Sequence, residues 1–324
     1  MSNSSIRKIN GNFRGKDILS LEQFDANSIK KLFTITAKMS KIAKHARPSD
    51  LLKGNIVTLL FYEPSSRTFG SFSAAVKQLG GETVEIQNPQ QFSSVSKGET
   101  LEDTIRVFEA YCDAIVIRHP NIGTAKIAAD EAQFVPIINA GDGVGEHPTQ
   151  GLLDLYTIYE KFHKLDMLTG VIAGDLRNGR TVHSLLQGLA LESNNRIYLL
   201  SPKELRLKKA DFFYYKKLGL TLIEIDNEND IPKNAHFWYW TRVQKERFKN
   251  LAIYEKVKNR FIVTQKLLKQ KGNTHMIIMH PLPRVGEIDT DVDKDPRAVY
   301  LRSQVRNGMY VRMALIAMVL GKTG

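Results

Sequence analysis

The chain holds 324 residues with a formal charge of +12, 42% of them hydrophobic and 25% charged. Those proportions exclude a disordered or fibrous chain, and the length suits two domains of about 150 residues each. The basic charge invites a polyanion, but the lysines are spread along the chain, often beside acids as in "DNEND" and "DTDVDKDPR", so nucleic acid is not the expected partner, and a small anionic substrate accounts for part of the bias.

No run reaches 18 uncharged apolar residues, and "MSNSSIRKINGNFRG" lacks the apolar core of a secretion signal. Neither a membrane span nor export is expected. The single cysteine, Cys112 in "YCDAIVI", reads as a small buried hydrophobe. A reducing, cytoplasmic compartment is the expectation.

In chain order, "SLEQFDANSIKKLFTITAKMSKIAK" has a capping-type start and apolar residues at near-helical spacing (Phe24, Ile29, Leu32, Phe33, Ile35), which predicts a first helix. Strand "NIVTLLFY", helix "TFGSFSAAVKQLGG" and strand "ETVEI" follow. "SKGETLEDTIRVFEAY" is helical, "CDAIVIR" a strand, "TAKIAADEA" a helix and "VPIINAG" a strand. "HPTQGLLDLYTIYEKFHKL" is a long amphipathic helix bridging two halves. Alternation restarts with strand "LTGVIAGD", helix "GRTVHSLLQGLALES", strand "NRIYLLSP", helix "LKKADFFYYKKLG" and strand "LTLIEID". "AHFWYWT" and "THMIIMHPLP" are later strands, and "QVRNGMYVRMALIAMVLG" closes the chain as a helix. Uniformly apolar strands alternating with helices predict parallel sheets covered on both faces. We therefore expect two doubly wound α/β domains, residues 1–150 with the closing helix 303–324 and residues 151–302, with ligands beyond the strands' carboxyl ends in a cleft between them.

The polar residues gather at those ends. "FYEPSSRT" leaves its strand at Pro64 and enters a helix near Arg67, which places Ser65, Ser66 and Thr68 around unpaired backbone N–H groups and a positive dipole. Alone, an N-cap serine and a solvated arginine explain the stretch; with a guanidinium converging there, it also makes a phosphate site. The arrangement recurs. Arg118 and His119 end the next strand, and His147 and Gln150 share one face of a helix start, where the dipole favours a neutral imidazole. Arg180 opens a helix after "GDLRNG", which lacks the P-loop pattern. Arg242 and Gln244 follow an apolar strand, two apart and hence on one side, and "MHPLPR" ends another strand with exposed carbonyls. Four arginines, a histidine, two glutamines and three hydroxyls suit anionic ligands. There is no nucleophile elbow, metal-ligand motif or dinucleotide loop, so no metal and no cofactor are expected and the chemistry rests on positioning and electrostatics.

In their order, "FYEPSSRT", "SKGETLEDT", "RHP", "GEHPTQGLLDLYTI", "GDLRNGRTVHSL", "TRVQKER" and "MHPLPR" resemble the catalytic chains of the aspartate carbamoyltransferase family, over roughly residues 15–320. "HPLP" and "TRVQKER" resemble the aspartate rather than the ornithine branch. The resemblance implies carbamoyl transfer from carbamoyl phosphate to L-aspartate, a step of pyrimidine biosynthesis. It implies that Ser65, Ser66, Arg67 and Thr68 hold the phosphate, and that Arg118, His147 and Thr68 polarise the carbamoyl carbonyl. Gln150 and the carbonyls of Pro281 and Leu282 would orient the carbamoyl NH₂, while Arg180, Arg242 and Gln244 grip aspartate. Ser93 and Lys97 would reach the site of a neighbouring copy, which implies a homotrimer; a regulatory subunit or pathway enzyme is a further possible partner. Two positions depart from the pattern: Phe69 stands where many members have a second arginine, and Ser96 precedes Lys97 where many have two lysines.

Overall fold

The computed structural model describes residues 7–45, 49–143, 145–245, 248, 250–258 and 260–323. The chain divides into two compact units, Met1–Leu153 with Arg306–Gly324, and Asp154–Val305.

The first unit carries four parallel strands, β1 (Ile56–Phe61), β2 (Glu82–Gln87), β3 (Ala114–His119) and β4 (Ile137–Asp142), in spatial order β2-β1-β3-β4. Strands β3 and β4 are buried throughout and β1 at all but its first residue, because apolar side chains point to both covered faces; β2, at the edge, has exposed positions. Helices α1 (Ala26–Ile42), α2 (Ser66–Gln78), a short α3 (Pro89–Phe92), α4 (Leu101–Glu109), α5 (Thr124–Glu131) and the start of α6 (Pro148–Phe162) belong to this unit. Leu60, Ile115, Ile117 and Ile137 of the strands pack with Ile105, Ala125 and Ala128 of α4 and α5. Each large aliphatic side chain buried there contributes about 1.5–3 kcal/mol.

The second unit carries β5 (Thr169–Ala173), β6 (Arg196–Leu200), β7 (Thr221–Ile225), β8 (Phe237–Trp240) and β9 (Ile277–Met279), all parallel, in order β7-β6-β5-β8-β9. Its helices are α7 (Arg180–Leu189), α8 (Lys209–Lys217), α9 (Leu251–Val257) and α10 (Gln265–Lys271). Periodicity assigned no element to the stretch holding α9 and α10. Each has seven residues, too few for an amphipathic repeat to show, and side-chain caps from Asn250 and Thr264 start them. Trp238 and Trp240 are fully buried with ring centroids 5.5 Å apart, and the Trp240 indole donates to the Phe261 carbonyl at 3.2 Å. The chain ends in α11 (Ser303–Val319), most of which belongs to the first unit.

Each sheet reverses its winding once. The chain adds β2 on one side of β1 and then crosses to add β3 and β4 on the other; likewise it adds β6 and β7 to one side of β5, then β8 and β9 to the other. The reversal points therefore lie between β1 and β3 and between β5 and β8. At such a point the loops leaving adjacent strands diverge and open a crevice for ligands. No helix of the described residues is long and apolar enough to cross a membrane.

Candidate active site

The first crevice is flanked by "EPSSRT" after β1 and "RHP" at the end of β3. Helix α2 starts with Ser65 at its N-cap, and among the described residues no side chain caps it, whereas α1 is capped by Asp25 and α4 by Thr100. Its first turn holds no acid. The amides and dipole of α2 thus face outward with Ser66 and Arg67 exposed and Thr68 buried, a ready setting for a phosphate. Arg118 is 5% exposed; its Nη1 donates to the Ala140 carbonyl at 3.0 Å and its Nη2 pairs with Glu63 at 2.6 Å. The guanidinium is thereby held at the strand end by the neighbouring strand and by the "EPSSRT" turn itself.

The loop after β4 brings in His147. Asp142 fixes it: one carboxylate oxygen accepts from the Glu146 N–H at 2.8 Å and the other from the Gly123 N–H at 3.0 Å. Gly143, at φ +58, passes so close to Pro120 that a Cβ there would lie 2.3 Å from its carbonyl oxygen. Glu146 in turn accepts from the Ser20 hydroxyl at 2.5 Å and the Leu21 N–H at 3.0 Å; burial raises its carboxyl above the usual range. His147, buried, precedes Pro148 at the start of α6, and the Thr149 hydroxyl lies 3.4 Å from its Nδ1. Gln150, half-buried, follows in the first turn.

Ser93 and Lys97 leave the carboxyl end of β2, the strand beside β1. Ser93 donates to the Pro89 carbonyl at 2.7 Å and accepts from the Val95 N–H at 3.2 Å, and Lys97 is exposed on the 3₁₀ turn Ser94–Lys97. Ser65–Thr68, Ser93, Lys97, Arg118, His147 and Gln150 all stand at one edge of the first sheet. Phe69 packs edge-on against Phe61 with ring centroids 5.2 Å apart, so the position departing from the family pattern is part of the core.

One residue of this edge had not been singled out. Arg312 of α11 donates to Ser71 of α2 at 3.0 Å and to Thr149 of α6 at 3.4 Å, and stacks on Phe72 at 5.1 Å. It ties together the two helices whose N-termini carry the phosphate-site residues. Its signal is a lone cation within the apolar run "MYVRMALIAMV".

In the second unit, Gly174 follows β5 at φ +107, where a Cβ would lie 2.1 Å from the Thr241 carbonyl oxygen. This close approach lets the loops after β5 and β8 run side by side. The fully buried Asp175 accepts from the Asn178 N–H at 3.0 Å and the Asn178 amide at 3.1 Å, shaping the turn that presents Arg180; burial raises its carboxyl. Gln244 donates to the Asn178 carbonyl at 3.3 Å, joining the "TRVQ" loop to the same turn. Arg180, Arg242 and Gln244 are half-buried, and α7 has neither a side-chain cap among the described residues nor an acid in its first turn. Pro281 and Leu282 follow β9, beside β8. Arg242 lines a cavity of about 210 Å³ with Val243, Tyr254, Lys258, Val285 and Glu287. Glu246 and Arg247 of "TRVQKER", and Val144 of "GDGVG", lie outside the described residues.

Two parallel sheets whose reversal points are lined by arginines, hydroxyls and helix N-termini define an α/β protein that holds small anionic ligands. Residues 16–160 match the family described as aspartate/ornithine carbamoyltransferase, carbamoyl-P binding domain, and residues 166–319 match its Asp/Orn binding domain. The chain is 47% identical to multifunctional protein pyr1-3 of Dictyostelium discoideum over 95% of its own length, spanning 14% of that protein. It is 44% identical to the chloroplastic aspartate carbamoyltransferase 1 of Pisum sativum, covering 95% of this chain and 79% of the relative. A structure of aspartate transcarbamoylase from Trypanosoma cruzi in complex with carbamoyl phosphate and aspartate superimposes with a TM-score of 0.88 at 37% identity, covering 98% of this chain and 100% of that one. The chain belongs to the aspartate/ornithine carbamoyltransferase family and, within it, to the aspartate carbamoyltransferases.

Proposed function

We propose that the chain transfers the carbamoyl group of carbamoyl phosphate to the amino group of L-aspartate, giving N-carbamoyl-L-aspartate and phosphate as a step of pyrimidine biosynthesis. The observation that carries this reading is the pair of cation-lined reversal points, β1/β3 and β5/β8, in a chain of this family.

In this reading Ser65, Ser66, Arg67 and Thr68 bind the phosphate at the uncapped start of α2. Arg118, His147 and Thr68 donate to the carbamoyl oxygen, whose negative charge grows as the amine attacks. Gln150 and the carbonyls of Pro281 and Leu282 orient the carbamoyl NH₂. Arg180, Arg242 and Gln244 take the two carboxylates of aspartate, a task that suits the planar fork of arginine. The neutral amine forms the new C–N bond, the C–O bond to phosphate breaks, and the departing phosphate accepts the amine proton. Catalysis then rests on holding donor and acceptor in line rather than on a covalent intermediate. Ser93 and Lys97, on an exposed segment, serve the site of a neighbouring copy in a homotrimer. The compartment we propose is cytoplasmic, with which the lone half-buried thiol of Cys112 is compatible.

The test offers the purified chain carbamoyl phosphate with aspartate, ornithine or no acceptor. Carbamoyl-aspartate formation alone supports the reading. Carbamoyl-ornithine formation, or no transfer, refutes it.

A further inference from the structure

Beyond β9 the chain makes a turn that is closed by side chains rather than by backbone alone. Leu282 sits at φ +55, in the left-handed region that a residue with a Cβ rarely adopts. Its N–H donates to Nδ1 of His280 at 2.7 Å. A backbone N–H only donates, so Nδ1 carries the lone pair and the ring proton sits on Nε2. Nε2 donates to Oε1 of Glu287 at 2.6 Å, and the other oxygen of Glu287 accepts from the Val285 N–H at 2.9 Å. The His280 N–H donates to Gln304 at 3.0 Å, the Gln304 amide donates to Asp154 at 2.7 Å, and the Tyr239 hydroxyl donates to the second oxygen of Asp154 at 2.8 Å. His280, Glu287, Gln304 and Asp154 are all buried. Burial is the largest single influence on the Glu287 carboxyl and would raise it, but the interactions with His280 and with the backbone N–H groups of Glu287 itself and Val285 together hold the group below its usual range.

A buried carboxylate and imidazole are expensive to desolvate unless each meets hydrogen-bond partners. Here they fix both flanks of one strained residue, Leu282 from His280 and Val285 from Glu287. Glu287 and Val285 also form part of the wall of the Arg242 cavity, so the fixed turn borders that cavity.

We propose that His280 and Glu287 are a positioning pair that aims the Pro281 and Leu282 carbonyls, with His280 confined to its neutral Nε2–H form. This rests on the role given above to those two carbonyls. Neither side chain touches substrate. The pair acts through the backbone it holds.

Two substitutions separate the contacts. His280→Asn places an amide oxygen near the position of Nδ1, keeping an acceptor for Leu282 but losing Glu287. His280→Gln reaches Glu287 but leaves the Leu282 N–H without its acceptor. Misaimed acceptors on the carbamoyl NH₂ affect turnover, so His280→Gln, which releases Leu282 itself, is expected to lose kcat by about 10- to 100-fold with KM for aspartate nearly unchanged, and His280→Asn, which keeps Leu282 held but releases Glu287, to lose less, by about 3- to 10-fold. Independently of folding of the variants, nitrogen NMR of the histidine-labelled wild type at pH 7 should show Nδ1 of His280 unprotonated. Equal turnover in the two variants, or a protonated Nδ1, overturns the pair while wild-type transfer leaves the functional reading standing. A wild-type protein without carbamoyl transfer to aspartate refutes that reading itself, and this role with it.

Discussion

Replacing Arg312 with methionine tests how the phosphate edge of the first unit is held together. Arg312 is 5% exposed, and its guanidinium bonds Ser71 of α2 and Thr149 of α6 and stacks on Phe72. The 3.0 Å bond to Ser71 is charge-assisted and contributes about 1.5 kcal/mol, while the longer one to Thr149 contributes about 0.5 kcal/mol. The buried stack on Phe72 adds about 1–2 kcal/mol. Methionine recovers part of the packing of the stem, so we expect a net loss of about 2–3 kcal/mol, seen as a melting temperature lower by roughly 4–12 °C. Because α2 and α6 begin with Ser65–Thr68 and with the residues after His147, loosening their spacing should also lower kcat by about 10-fold or more. Lysine keeps the charge without the fork and should fall between wild type and methionine. Thermal unfolding and steady-state transfer on the three proteins make the assay. An Arg312→Met protein with wild-type melting and turnover would refute the tie between the two helices.

Arg67→Ala and His147→Ala should each lose two to three decades of turnover while remaining folded, as expected for groups each worth about 3 kcal/mol to a developing oxyanion or leaving group. Arg242→Ala should raise KM for aspartate far more than KM for carbamoyl phosphate; equal effects on both would contradict its placement. Burial holds His119 below its ordinary value of 6.5, and its Nδ1 already accepts from the Asn121 N–H at 3.1 Å, so protonation there sets two donors face to face. The unfolded chain therefore takes up the proton first, and the stability contributed by neutral His119 is present above pH 6.5 and lost as pH falls from there toward the folded value, by up to about 1.4 kcal/mol per pH unit. Denaturant titrations should show the stability gap between wild type and His119→Asn narrowing on acidification; a constant gap would contradict this.

The architecture was legible because parallel strands are buried on both faces. "IVTLLF", "AIVIRH" and "FWYW" read as strands without any structure. The uncapped start of α2 was legible too, since Pro64 ends the strand and the hydroxyls follow at once. What stayed hidden depends on distant partners. Arg312 meets residues 241 and 163 positions away, and no local pattern pairs them. His280 stood in a motif noted for its prolines, while its carboxylate partner lies seven residues on, across a turn whose strain no composition reveals. Phe69 read as a departure from the family pattern, and only its packing on Phe61 gives it a structural task.

The proposed function requires the cationic edges of the two sheets to serve one pair of substrates. Calorimetric titration with a compound joining a phosphonate to aspartate addresses it directly. Binding to the wild type, weakened at least 100-fold by Arg67→Ala in one unit and by Arg242→Ala in the other, is the predicted result, since either change leaves a charged arm of the ligand without its partner. Wild-type affinity in either variant would contradict the account.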